Sequence, residues 1–220
     1  MTAIRGAAAA VTGAASGIGR ALALQLAARG CDLALADRDD AGLATLAAEI
    51  ARDHQQKVTV HRVDVGEPNQ IEGFAQAAIA GHPGLNIVVN NAGVALMGQF
   101  DEIDQAQMDW LMNINFWGVV HGTRAFLPHL AARREAHIVN LSSIFGIIAP
   151  PGQTAYAAAK FAVRGFSEAL RHELAELHLE IRTIYLRRPG AEAGRRGLWG
   201  VYAFSSAFAR GAKIFASHFQ

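Results

Sequence analysis

The chain has 220 residues, 51% of them hydrophobic, and a formal net charge of +1. That is enough apolar material for one α/β domain with a sizeable core, and too much for a disordered chain. The interspersed, near-neutral charge excludes a nucleic-acid surface as an organising feature, and no run approaches the ~18 apolar residues of a membrane span.

Apolar runs of strand length alternate with Ala/Leu-rich segments of helical period. The pattern predicts strands at 7–12, 31–36, 58–63, 85–89, 137–141 and 181–186. Between them it predicts helices at 18–29, 41–52, 69–80 (with Pro68 at its start), 105–131 and 154–177. The strands lack polar/apolar alternation, as expected when both faces are buried. The inference is a doubly wound parallel sheet of six strands with helices on both faces, a Rossmann fold, whose ligands sit at the carboxyl ends of the strands. Cys31 is the single cysteine and opens an apolar run, so it reads as a buried, inert thiol and fits a reducing compartment. The N-terminus does not resemble a signal peptide, and the expectation is a cytoplasmic protein.

The first strand ends in Thr12-Gly13-Ala14-Ala15-Ser16-Gly17-Ile18-Gly19, inside which a helix begins. Glycines let the backbone approach a pyrophosphate, and the helix N-terminus offers free N–H groups to it. Asp37 ends the second strand, 24 residues after Gly13. An acid there can accept both ribose hydroxyls, and it would repel a 2′-phosphate by about 4 kcal/mol at ~4 Å and an effective dielectric of ~20. NAD is therefore favoured over NADP, although Arg38 could turn toward a phosphate. The alternative for Asp37 is a helix-capping turn through Asp40.

Tyr156 and Lys160 lie four apart in a predicted helix and share one face. Lysines are rare here, at three in 220 residues, so the spacing is not a matter of abundance. A tyrosine of ordinary pKa, ~10, is a poor base near neutrality; a neighbouring ammonium, helped by an oxidised nicotinamide, would favour the phenolate. The pair then becomes a general acid/base. The nine histidines form no metal-ligand pattern, His172-Glu173 lacks the second histidine of a zinc protease helix, and no Gly-x-Ser-x-Gly elbow occurs. No metal site is expected.

Taken with Asp64-Val65, Asn90-Asn91-Ala92-Gly93, Asn115-Phe116-Trp117-Gly118 and Ser142-Ser143, these motifs make the sequence resemble the short-chain dehydrogenase/reductase family over about residues 6–186. The resemblance implies an oxidoreductase moving a hydride between NAD(H) and a small or medium, mainly apolar secondary alcohol or ketone. It implies Tyr156 as proton carrier, with Lys160 on the nicotinamide ribose. Ser143 would bond the substrate oxygen. Asn115 would hold a water leading from Lys160 to solvent. Asp64 and Val65 would meet the adenine, and Asn90, Asn91, Ala92 and Gly93 would pass beside the adenosine ribose. Plainer roles stay open: Asn115 as an exposed helix residue, Asp64 as a strand-end turn, and Asn90 and Asn91 as loop caps. Ile144, Phe145, Ile147, Ile148 and Val94 could line the pocket or the core. The family's members usually form dimers or tetramers through the two long helices, so a homo-oligomer is expected.

The division expected is a dinucleotide-binding and catalytic domain at 1–186 and an atypical tail at 187–220 in place of the usual lid and last strand. Pro189-Gly190 falls one residue late, and Gly194 stands where the family has a threonine. Residues 187–213 carry six Arg/Lys and one Glu, and 198–220 hold six of the 17 aromatics. Phe204, Phe208, Phe215 and Phe219 fit one helical face. A divergent lid, a basic amphipathic surface helix, and a truncated or out-of-frame end all remain open. On account of this tail, a non-catalytic or defective dinucleotide-binding protein is the alternative to an enzyme.

Overall fold

The computed structural model describes residues 4–175, 179–187 and 200–203. The alternation read from the sequence becomes β1 (Ala8–Thr12), α1 (Gly17–Ala27), β2 (Asp32–Asp37), α2 (Asp40–His54), β3 (Val58–Arg62), α3 (Pro68–Gly81) and β4 (Leu85–Asn90). Then follow α4 (Gln105–Met112), α5 (Gly118–Ala131), β5 (Ala136–Ser143), α6 (Thr154–Glu173), β6 (Leu179–Arg187) and β7 (Gly200–Ala203). The strands form one sheet in the order β3-β2-β1-β4-β5-β6-β7. Its first six strands are parallel. The chain reverses direction across the sheet between β3 and β4, and the carboxyl ends of β1 and β4 flank the crevice that this creates.

Burial on both faces follows from residue parity. Along β1, Ala9 and Val11 meet Leu26 of α1 and Leu43 and Leu46 of α2. Ala8 and Ala10 turn the other way, into a core with Phe74 of α3 and Phe126 of α5. Leu170 of α6 and Leu174, which follows it, pack on that second core. Cys31 is a free, buried thiol, pushed up to about 12 by burial, which leaves it protonated and unreactive.

Two features differ from the sequence reading. The single helix expected over 105–131 is two, separated by a π-helical turn at Asn113–Trp117. Asn115 in that turn donates from Nδ2 to the Val94 carbonyl (2.8 Å), and its Oδ1 accepts from the Val94 N–H (2.7 Å). These tertiary bonds are made by one wider turn, which hydrophobic periodicity does not record. The second difference is β7. The six expected strands are all present, and a short seventh adds to β6 antiparallel, pairing Ile184 with Ala203 and Arg187 with Gly200. The other tail positions, including the aromatic face from Phe204 to Phe219 and whatever stands in place of the usual lid, lie outside the described residues. Among those described, no helix is long and apolar enough to cross a membrane.

Candidate active site

The glycine turn is held by sterics on one side and left open on the other. Gly13 and Gly17 have φ of +66° and +54°, a region that disfavours any side chain. A Cβ on Gly19 would lie 2.0 Å from the Gly13 carbonyl oxygen, so helix and turn close together only with glycine there. Asn91 clamps the same turn, donating from Nδ2 to the carbonyls of Thr12 (2.8 Å) and Gly13 (3.0 Å). Thr12 Oγ1 accepts the N–H groups of Asn91 and Ala92, both at 3.1 Å.

The start of α1 differs from those of α2 and α4. Asp39 caps α2 through the Gly42 N–H, and Asp104 caps α4 in a reciprocal capping box. Ser16 precedes α1 in extended conformation, and its side chain makes no capping bond. With no acidic side chain in that first turn either, its N–H groups and positive dipole end face the crevice, a setting suited to a bound anion.

The acidic partner sits beside this turn. Asp37 Oδ2 accepts from the Ala15 N–H (2.9 Å), and Oδ1 accepts from those of Arg38 (2.7 Å) and Asp39 (3.2 Å). The carboxylate is thus fixed in place at the end of β2. Arg38 turns to Asp64, with Nη1 3.5 Å from Oδ2, while Asp64 Oδ1 accepts from the Gly66 N–H (2.9 Å). Gly13, Ser16, Gly17, Ile18, Asp37, Arg38, Asp64 and Val65 line one groove with Asn91, Ala92 and Gly93. Ile18, Asn91, Gly93 and Val94 also line a second cleft of about 930 Å³, which holds Ser143, Tyr156 and Lys160. Groove and cleft therefore adjoin.

Ser143 ends β5, while Tyr156 and Lys160 lie in the first two turns of α6. Ser143 is hydrogen-bonded to the Tyr156 phenol, and its Oγ accepts the Phe145 N–H at 3.2 Å. Lys160 is 5% exposed; its Nζ donates to the Leu141 carbonyl (2.9 Å) and lies 5.7 Å from the Tyr156 ring centre. A Cβ on Gly93 would lie 3.2 Å from Asn115 Oδ1 and 3.7 Å from Lys160 Nζ, so those three residues meet at one point. Strand and helix are tied together beneath them: Ser142 Oγ donates to the Lys160 carbonyl (2.9 Å), and Asn140 Nδ2 donates to Ser167 Oγ (2.9 Å).

Burial sets the titration of the pair. It raises the Tyr156 phenol above its ordinary value, against a smaller lowering by the Ser143 bond. The Lys160 ammonium is pushed down to about 8 by burial. Lys160 alone therefore does not make Tyr156 a base in the ligand-free protein. The lowering expected from the Lys160 ammonium is therefore absent in the ligand-free protein. Sequence reasoning also missed the supporting residues Thr12, Asn140, Ser142 and Ser167. Thr12 and Ser142 sit inside the motifs themselves; Ser167 carries no local signal.

Comparison with known proteins agrees with this geometry. A family described as short chain dehydrogenase matches residues 7–190. SadH of Mycobacterium tuberculosis is 48% identical over 174 residues, which cover 79% of this chain and 63% of SadH, so the chain spans less than two thirds of that relative. The crystal structure of a short-chain dehydrogenase/reductase from Burkholderia phymatum in complex with NAD superposes with a TM-score of 0.80 at 34% identity. It covers 83% of this chain and 66% of that one. The alcohol dehydrogenase of Thermococcus sibiricus, complexed with 5-hydroxy-NADP, gives a TM-score of 0.75 at 27% identity, covering 78% and 73%.

Proposed function

Because the chain belongs to the short chain dehydrogenase family, we propose that it is an oxidoreductase that interconverts secondary alcohols and ketones with NAD, using Tyr156 as general acid/base. The observation that carries this reading is the joining of the uncapped α1 start and Asp37 groove to the cleft holding Ser143, Tyr156 and Lys160. Residues 1–186 carry the work in this reading, and 187–220 is an atypical tail of which Gly200–Ala203 joins the sheet as β7.

When bound, the nicotinamide supplies the acceptor or donor for the hydride. The Tyr156 phenolate takes the hydroxyl proton as an alcohol becomes a ketone, and the resulting phenol returns it to the oxygen in the reverse direction. Ser143, already bonded to that phenol, adds a second hydrogen bond to the substrate oxygen as charge develops there. Lys160 presents its ammonium to the nicotinamide ribose and contributes positive charge beside Tyr156. Asn115, held to Val94, stands next to Lys160 and holds a water through which the proton passes to solvent. The groove residues bind the dinucleotide: the α1 start takes the pyrophosphate, Asp37 the adenosine ribose, and Asp64 and Val65 the adenine.

A preference for NAD is supported by Asp37, whose carboxylate would meet a 2′-phosphate with like charge. NAD should bind at least tenfold more tightly than NADP, and Asp37→Ala should bring the two within about threefold. Fluorescence titration of both cofactors checks this; equal affinities in the unmodified protein would overturn the assignment. Cytoplasmic location and homo-oligomer formation belong to the same reading. They are supported by the free buried thiol of Cys31 and by the exposed Trp117 and Phe161 beside α5 and on α6. The function as a whole is tested by turnover of NAD with a panel of secondary alcohols, beside a separate cofactor-binding assay.

A further inference from the structure

The cleft beside Tyr156 contains one polar side chain to which no role has yet fallen. Much of its described lining is apolar, including Val94, Met97, Phe145, Ile148 and Pro150. The other polar side chains that reach it are engaged within the protein. Asn91 holds the Thr12 and Gly13 carbonyls, Ser142 the Lys160 carbonyl, and Lys160 the Leu141 carbonyl. Ser143 and Tyr156 hold each other.

Gln153 is left. It immediately precedes α6, three residues before Tyr156, and is only 8% exposed. Its backbone carbonyl accepts the Ala157 N–H at 2.7 Å. Its side-chain amide caps nothing and has no hydrogen-bond partner among the described residues. The sealed, unpartnered side-chain atoms among those residues belong to His82, Asn86 and Asn90, so the Gln153 amide is not closed off and opens on the cleft that it lines. Nearly all buried polar groups are satisfied, and an amide brings two donors and an acceptor that need partners.

We propose that Gln153 is a specificity-determining residue whose amide hydrogen-bonds a second, uncharged oxygen of the substrate, close to the carbon at which Tyr156 acts. The proposal rests on reading this cleft as the substrate site. The second group is uncharged because the described lining has no carboxylate, and its one cation, Lys160, is buried on Leu141. An amide serves a hydroxyl or a carbonyl equally well. Gln153 and Tyr156 lie within one helical turn, which keeps the second oxygen on a carbon near the reacting one. The substrate class is thus α- or β-hydroxy ketones, diketones and their reduced forms. The exposed side chains of Met97 (78%) and Ile148 (53%) offer the rest of such a molecule an apolar surface.

The test is binding of three ligands to the full chain saturated with NAD: an alkyl α-hydroxy ketone, its β-hydroxy isomer, and the plain ketone of the same chain length. At least one oxygenated ketone should bind about tenfold more tightly than the plain one. Gln153→Met and Gln153→Leu, both near the native volume, should each remove that preference and leave plain-ketone and NAD affinity unchanged. Equal binding of all three ligands, a preference that survives both variants, or no ketone binding at all would overturn the proposal. A preference lost in the variants, with no turnover of these ketones by any of these proteins when NADH replaces NAD, would refute the hydride-transfer reading and leave recognition by Gln153 intact.

Discussion

Tyr156→Phe is expected to lower turnover by about 10²–10⁴-fold, the range that a positioned proton carrier supplies, while NAD affinity stays within about twofold. Only the phenol oxygen is lost. The ring keeps its edge-to-face contact with Phe145, 6.2 Å between centres, so the cleft keeps its shape. The Ser143 hydroxyl remains, but its ordinary acidity is far too weak for it to take the place of a phenolate. The pH dependence has a definite sign. Oxidation needs the deprotonated phenol, which burial disfavours, so alcohol oxidation should rise with pH through the neutral range; ketone reduction should not. Steady-state rates beside a cofactor titration check both points. Near-normal turnover in the variant would mean that another group carries the proton.

Lys160→Met is expected to make the ligand-free protein more stable and the enzyme much worse. Burial lowers the ammonium from 10.5 to about 8, which corresponds to about 3 kcal/mol of unfavourable charge burial at neutral pH. The sign follows from proton counting. Between those two values the unfolded chain holds the proton and the folded chain does not, so stability rises with pH. The penalty is complete below pH 8 and gone above 10.5. Methionine, similar in length and uncharged, removes it. The variant should therefore gain about 1–3 kcal/mol at pH 7, with the vacated Leu141 carbonyl taking back part of the gain, and the difference should shrink toward pH 10. NAD affinity and turnover should fall together, since Lys160 serves both in the proposed function. Denaturant unfolding at the two pH values measures the stability difference. A loss of stability at pH 7 would show that the Leu141 bond outweighs the burial of charge.

Much of this architecture is legible in the sequence because it depends on local signals. Apolar runs without alternation, such as 31–36, report a strand covered on both faces, and Gly13 and Gly19 report close backbone approaches that no other residue allows. The Tyr156/Lys160 spacing places both side chains on one helix face without any knowledge of tertiary structure. What the sequence conceals is tertiary. The π-turn at Asn115 arises from bonds to Val94, 21 residues away, and hydrophobic period is blind to it. Ser167 braces Asn140 across 27 residues, with nothing nearby in the chain to announce it. The dominance of burial over the Ser143 bond in the titration of Tyr156 is also a property of packing rather than of spacing. The antiparallel direction of β7 has no local signature either.

The central claim is that this cleft transfers hydride between a secondary alcohol and NAD. The direct measurement uses secondary alcohols carrying deuterium on the carbinol carbon, incubated with the full chain and NAD, with the reduced cofactor analysed by mass spectrometry. One deuterium should appear in the reduced nicotinamide ring for at least one alcohol, and should be lost in Tyr156→Phe. NAD bound by the protein with no deuterium transferred from any alcohol of the panel would contradict it.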